Sequence, residues 1–170
     1  MEGKVLTQAK VEHANSCSSS SSAPLILITG GQPSTSYRSV EVLNADGSQL
    51  YSLPDLPEDM YFHSQSGTTL CGEVDCFTLS CDGWKKSHTL LQPRKKWPFL
   101  WMSSRGSVII GGDTDIVEKL NDNGESQELY KMKEIMDYSC GISLEDKVIM
   151  TGGTFTGQTV RFELFSFDRI

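Results

Sequence analysis

The stretch DKVIMTGG, residues 146–153, decides how this chain folds, because it is one of a set. An apolar run ending in a glycine pair also occurs as PLILITGG, closing at Gly31, and as GSVIIGG, closing at Gly112. A reduced copy, TTLCGE, carries Gly72 by itself. The last glycines stand at 31, 72, 112 and 153, at intervals of 41, 40 and 41 residues. Self-similarity at a fixed period of this length marks an array of one supersecondary unit.

Working outward from the glycines, the same phase holds. After the first three marks comes a second short phrase, SVEVLN (39–44), CFTLS (76–80) and DIVEKLN (115–121). In the first of these, Val40, Glu41 and Val42 alternate apolar and polar, the period of a strand with two unlike faces. A turn dipeptide follows, Asp46-Gly47, Asp82-Gly83 and Asn123-Gly124. Such dipeptides reach positive φ cheaply and signal hairpins. An aromatic residue comes next: Tyr51, Trp84 and Tyr130. Before the last three marks lie MYFHSQS, PFLWMSS and DYSCGIS, each joined to its mark by a tight link at Gly67, Arg105-Gly106 or Glu145-Asp146. The prolines of LPDLPED close the first unit, since proline cannot donate to a ladder.

One unit is therefore strand, tight turn, strand ending in glycine, loop, strand, Asp/Asn-Gly turn, strand. Four short antiparallel strands per period of about 41 residues make one blade of a β-propeller. The segment QELYKMKEIMDY (127–138) has helical composition, but it occupies the fourth-strand place and its exit, and reads as strand plus loop. Glycine at the end of the second strand is expected where inner strands of neighbouring blades converge, since it allows close backbone approach and positive φ. The apolar run before it is expected to be buried on both faces between blades.

At this point the chain resembles the kelch-repeat family. The glycine pairs Gly30-Gly31, Gly111-Gly112 and Gly152-Gly153 and the aromatics Tyr51, Trp84 and Tyr130 carry the resemblance, over about residues 24–170. The period is shorter than the roughly 50 residues of typical kelch units, and Cys71-Gly72 stands where Gly-Gly is expected. The WD40 alternative lacks its Trp-Asp and Gly-His dipeptides. The resemblance implies five to seven blades, whereas residues 25–170 hold about 3.6 units. The array starts at a second strand and stops just after a third, so it reads as an incomplete propeller and a fragment. Residues 1–23, with the low-complexity run SCSSSSS, read as a disordered serine-rich leader.

Composition bounds the function. The 170 residues carry a formal net charge of -7, and only 38% are hydrophobic. An acidic surface disfavours nucleic acid. No stretch approaches the roughly 20 apolar residues of a membrane span, and no signal-peptide h-region is visible. Cytoplasmic and extracellular settings both stay open. Cys71, Cys76 and Cys81 lack zinc spacing, but Cys71 and Cys76 fall across one predicted hairpin, either bridged or as buried free thiols. Cys81 and Cys140 have no evident mate.

His13, His63 and His88 are dispersed, and no G-x-S-x-G or phosphate-binding glycine motif occurs. No catalytic, cofactor or metal residues are assigned. The expected function is a non-catalytic protein-protein interaction module binding through inter-strand loops. Links from strand 2 to 3 and from strand 4 to the next strand 1 should share one end of the blades. Tyr37, Arg38, Arg94, Trp97 and Phe155 are the candidate binding residues, because aromatics and arginine dominate interface hot spots. Alternatives by resemblance are part of a galactose-oxidase-like enzyme, or the substrate-receptor part of a ubiquitin-ligase adaptor.

Overall fold

The computed structural model describes residues 25–30, 38–44, 50–60, 62–96, 98–103, 106–138, 140–144, 147–152 and 161–166. The expected leader, residues 1–23, lies outside them. The described residues form only strands, turns and loops. Among them no helix is long and apolar enough to cross a membrane.

Four antiparallel sheets follow one another along the chain. Sheet I holds β1 (Leu25–Thr29), β2 (Val40–Asn44) and β3 (Leu50–Ser52), and sheet II holds β4 (Ser64–Ser66), β5 (Thr69–Cys71), β6 (Asp75–Ser80) and β7 (Gly83–Thr89). Sheet III holds β8 (Phe99–Ser103), β9 (Gly106–Ile110), β10 (Ile116–Leu120) and β11 (Ser126–Lys131). Sheet IV holds β12 (Cys140–Leu144), β13 (Lys147–Gly152) and β14 (Arg161–Ser166). Every strand pairs with its sequence neighbours, so each sheet is a simple meander. The segment of helical composition is β11 followed by a loop, as its place in the repeat requires. The glycines of the Asp82-Gly83 and Asn123-Gly124 turns take φ of 101° and 86°, which side chains disfavour.

Three apolar clusters lie where consecutive sheets meet. Between sheets I and II, Val40 and Leu56 meet Leu70 and Phe77, with Leu27 and Trp84 packed alongside. Between II and III, Cys71, Cys76 and Leu90 meet Leu100, Ile109 and Leu120. Between III and IV, Trp101, Val108, Ile110 and Val117 meet Val148 and Met150. Residues of alternate parity on a strand thus serve opposite interfaces. Each sheet has a front face toward the preceding sheet and a back face toward the following one.

This alternation corrects the phase of the repeat. Thr29, Cys71 and Ile110 all sit on back faces, and each is followed by the first glycine of a mark: Gly30, Gly72 and Gly111. Gly72 thus matches the first glycine of a pair, not the last. Gly30 and Gly72 also make the same bond, donating N–H to the carbonyls of Ser39 and Asp75, the residues just before the ladder partners Val40 and Cys76. The structural intervals, taken at Thr29, Cys71, Ile110 and Thr151, are 42, 39 and 41.

The expectation of burial on both faces holds for the two inner runs, and in the one before Gly72, Leu70 and Cys71 are 0% exposed on opposite faces. Val108, Ile109 and Ile110 are all 0% exposed. In the first run Ile26 and Ile28 are exposed, and in the last Ile149 is, because sheet I has no described sheet in front and sheet IV none behind.

Cys71 and Cys76 are opposite one another on β5 and β6 and form a disulfide, with both residues fully buried. Cys81, whose mate inspection of the sequence does not supply, is also disulfide-bonded. Cys140 is a free, exposed thiol.

Candidate functional site

The expected sharing of one end by two classes of loop is seen directly in hydrogen bonds. The strand 2–3 loop of sheet II binds the link leading from II to III: Arg94 N–H donates to the Glu73 carbonyl (2.6 Å) and Leu90 N–H to that of Val74 (2.7 Å). In turn the Lys95 N–H donates to Asp113 Oδ1 in the corresponding loop of sheet III (2.7 Å). The Gly112 N–H reaches the Met136 carbonyl, in the link from III to IV, at 3.0 Å. Tyr138 of that link donates N–H to Lys96 of the previous one at 2.8 Å. Lys96 and Tyr138 hold positive φ, 66° and 50°, conformations that cost free energy for residues with side chains. The loops of this end form one braced platform.

A cleft of about 280 Å³ opens on it, lined by Glu58, Asp59, Phe62, Glu73, Val74 and Asp75 among others. Glu73 pairs with Lys95 at 3.2 Å, and Asp75 with Lys86 at 2.8 Å. Glu58 has its carboxyl pushed above the usual range, chiefly by burial, then by the neighbouring Asp75, with Lys86 opposing. The same loops expose apolar side chains: Phe62, Val74, Leu91, Ile135 and Tyr138.

The candidate binding residues fare differently. Tyr37, Trp97 and Phe155 lie outside the described residues. Arg38 is exposed, with its Nε donating to the Leu56 carbonyl. Arg94 is not a surface anchor. It is 0% exposed, and its guanidinium donates to the carbonyls of Gly111 and Ile116, both at 2.6 Å, and to Glu118 Oε1 at 2.8 Å. The second Glu118 oxygen accepts from Leu91 N–H at 2.8 Å. Burial lowers the affinity of Arg94 for its proton, and Glu118 opposes that shift. A planar fork with several donors suits this three-acceptor hole, and the ion pair cancels the charge that a partner would have read. Arg94 and Glu118 fasten the II–III link to sheet III.

One signal for this pair was in the sequence. Glu118 belongs to the phrase E-x-L-N (118–121), which recurs at Glu41 (41–44). An acidic residue that recurs at one phase of the repeat, within a strand, points to a structural task.

His63, in the link from I to II, joins the two sheets through its Nε2 and Thr29 Oγ1, 2.9 Å apart. Thr29 Oγ1 also donates to Gln65 Oε1 at 2.7 Å. Burial holds the His63 pKa below its ordinary 6.5, with hydrogen bonding at Thr29 and Met60 opposing. A histidine whose folded pKa is lowered binds fewer protons folded than unfolded. Its contribution is complete above about pH 6.5 and is lost as pH falls below that value. The thermal midpoint is expected to drop between pH 7 and pH 5.5, with a slope of at most about 1.4 kcal/mol per pH unit from this residue. His63→Gln should flatten that drop in a pH series of melts, and an unchanged slope would rule His63 out as its source.

Among the described residues no group of three or more His, Cys, Asp or Glu side chains could hold a metal ion. No family model matches the chain, and no characterised protein compared with it shows significant similarity.

Proposed function

We propose that the chain is part of a kelch-type β-propeller and serves as a non-catalytic binding module for a protein partner. The recurrent glycine marks and the meander sheets, packed face to face in chain order, support the propeller reading. The observation that carries the binding reading is the apolar set Phe62, Val74, Leu91, Ile135 and Tyr138 on loops braced at one end. Exposed apolar side chains on loops held at one end of a rigid scaffold suit a contact surface, and Phe62 and Val74 line one cleft there.

The chemistry of the cleft favours a segment that is both basic and apolar. Four carboxylates line it beside Lys95. Glu73 and Asp75 already pair with Lys95 and Lys86, so Glu58 and Asp59 are the acidic groups offered to a ligand. Arg94 is neutralised by Glu118. Glu58 gains from a cation that relieves its repulsion with Asp75. The bridges at Cys71–Cys76 and at Cys81 favour work in an oxidising setting.

The test is a fluorescence-anisotropy titration with a short peptide alternating lysine and leucine, beside its glutamate-leucine counterpart. The lysine peptide is expected to bind better and to weaken with salt. Changing Glu58→Lys and Asp59→Lys together should weaken it by about tenfold or more, since opposite charge then meets like. Equal binding of the two peptides, or indifference to the paired change, would overturn this assignment.

A further inference from the structure

One loop of the cleft is closed at its base by a bond that a thiol can open. Residues 72–75, the strand 2–3 loop of sheet II with its last residue on β6, all line the cleft. At the base Cys71 and Cys76 pair across β5 and β6 and carry the disulfide. Between them the Gly72 N–H donates to the Asp75 carbonyl at 2.9 Å. The corresponding places elsewhere hold no cysteine. Thr29 pairs with Val40 in sheet I across residues 30–39, and Thr151 with Phe162 in sheet IV across residues 152–161. Ile110 stands at the place of Cys71 in sheet III. Sheet II therefore joins the shortest of these loops to the one covalent tie.

More than one wall of the cleft depends on that tie. The carbonyls of Glu73 and Val74 accept from the N–H groups of Arg94 and Leu90, so the loop holds the link that brings Arg94 and Lys95 to the same cleft. Both cysteines are 0% exposed and packed with Leu90, Leu100, Ile109 and Leu120. A close-packed interior has no spare room. Two thiols need a van der Waals separation where the bridge needs only a bond, so on reduction β5 and β6 must part at the base of the loop.

We propose that the Cys71–Cys76 bridge is a redox latch on the cleft. Closed, it holds the loop in the shape that binds; reduced, it frees the loop and the cleft loses affinity. The reductant is a dithiol. One of its thiolates attacks a bridge sulfur, and the other cysteine leaves as a thiolate and takes up a proton. The second thiolate of the reductant then breaks the mixed disulfide and frees the remaining cysteine. Two electrons pass to the cysteines, and the dithiol becomes a disulfide. A ligand that prefers the closed loop protects the bridge by the same factor that the bridge adds to its affinity. The change in affinity rests on the binding role proposed for the cleft, whereas the release of the loop rests on the bridge and its hydrogen bonds alone.

The test compares the full chain before and after dithiothreitol, with Cys140→Ser in every sample to remove the exposed free thiol. Reduction is expected to weaken binding of the lysine peptide about tenfold, through the entropy of re-ordering a freed loop. Saturating peptide should lower the potential of the bridge by about 30 mV, which is the same tenfold factor. Without peptide, hydrogen exchange at the amides of Leu90 and Arg94 should quicken about tenfold or more on reduction. Dithiothreitol also opens the bond at Cys81, so Cys71→Ala with Cys76→Ala is the control. That variant should bind like the reduced chain and change little when the reductant is added. Cys71→Thr with Cys76→Val, the residues of sheet I at those places, replaces it if it loses its strand spectrum.

Measurable and equal affinity before and after reduction would overturn the latch. So would unchanged exchange at Leu90 and Arg94 once alkylation marks both cysteines as free thiols, or a bridge that stays closed in excess dithiothreitol. A full loss of affinity on reducing the double variant would assign the effect to Cys81 and overturn it too. If the peptide binds neither form while exchange still quickens, the latch on the loop stands and the binding module falls.

Discussion

Glu118→Gln is expected to lower the unfolding free energy by about 3–5 kcal/mol, because it leaves Arg94 charged in a site with no solvent access. Glutamine keeps the shape of glutamate and can still accept from Leu91 N–H, so the loss reports charge more than packing. Against a typical total of about 5–15 kcal/mol, that loss could leave much of the population unfolded at moderate urea. Arg94→Lys should also fail, since an ammonium cannot reach the carbonyls of Gly111 and Ile116 and the Glu118 carboxylate in one fork.

The informative comparison is the double variant Arg94→Met with Glu118→Gln. With the charge gone from both sides, the remaining cost is the unpaired main-chain carbonyls of Gly111 and Ile116. Urea titrations of the two single variants and the double should show a coupling of about 2 kcal/mol or more. Additive losses would mean that the two side chains stabilise the fold independently.

The second large effect is at Gly112. Its φ of +86° is already costly for any side chain, and an added Cβ would sit 2.9 Å from the Lys95 carbonyl oxygen and 3.3 Å from Arg94 Cβ. The obstacle is main chain and cannot swing aside. Valine adds two methyl groups to that clash. Gly112→Val is expected to cost more than about 2 kcal/mol in a urea titration, from strain and overpacking together.

The reason differs in one respect from the sequence-based expectation. The close approach is to the link from sheet II to sheet III, not to converging inner strands. Gly124 is less of a neutral comparison than its turn position implies, because its φ is also +86° and an added Cβ would lie 3.0 Å from the Ser87 carbonyl. Gly72 is the milder site. Its nearest obstacles are the flexible Met60 Sδ and Cε, both at 3.2 Å. Gly72→Ala should therefore cost less than Gly112→Ala, and the reverse order would show that link contact does not set the glycine requirement.

The sequence by itself determined the strands, their order and their antiparallel meander. Those features depend on short-range chemistry: apolar runs of strand length, glycine at turns that need positive φ, and a period that repeats the unit. It also determined which loops share an end, because in a meander the end of each loop follows from counting strands. It named Cys71 and Cys76 as neighbours and left their bridging open.

Only the tertiary structure decided which sheet face each residue serves. A one-residue offset in the mark around Gly72 moves every side chain to the opposite face, and spacing alone aligned Gly72 with the wrong glycine. Only the structure moved Arg94 from the surface to the interior. Arg94 stands in a link and its partner 24 residues on, in a strand of sheet III, and no local pattern states that a charge will find its opposite there. The exposure of Ile28 and Ile142 was hidden for the same reason. Their phrases read like the buried ones, and burial belongs to the neighbouring sheet rather than to the strand that carries the side chain.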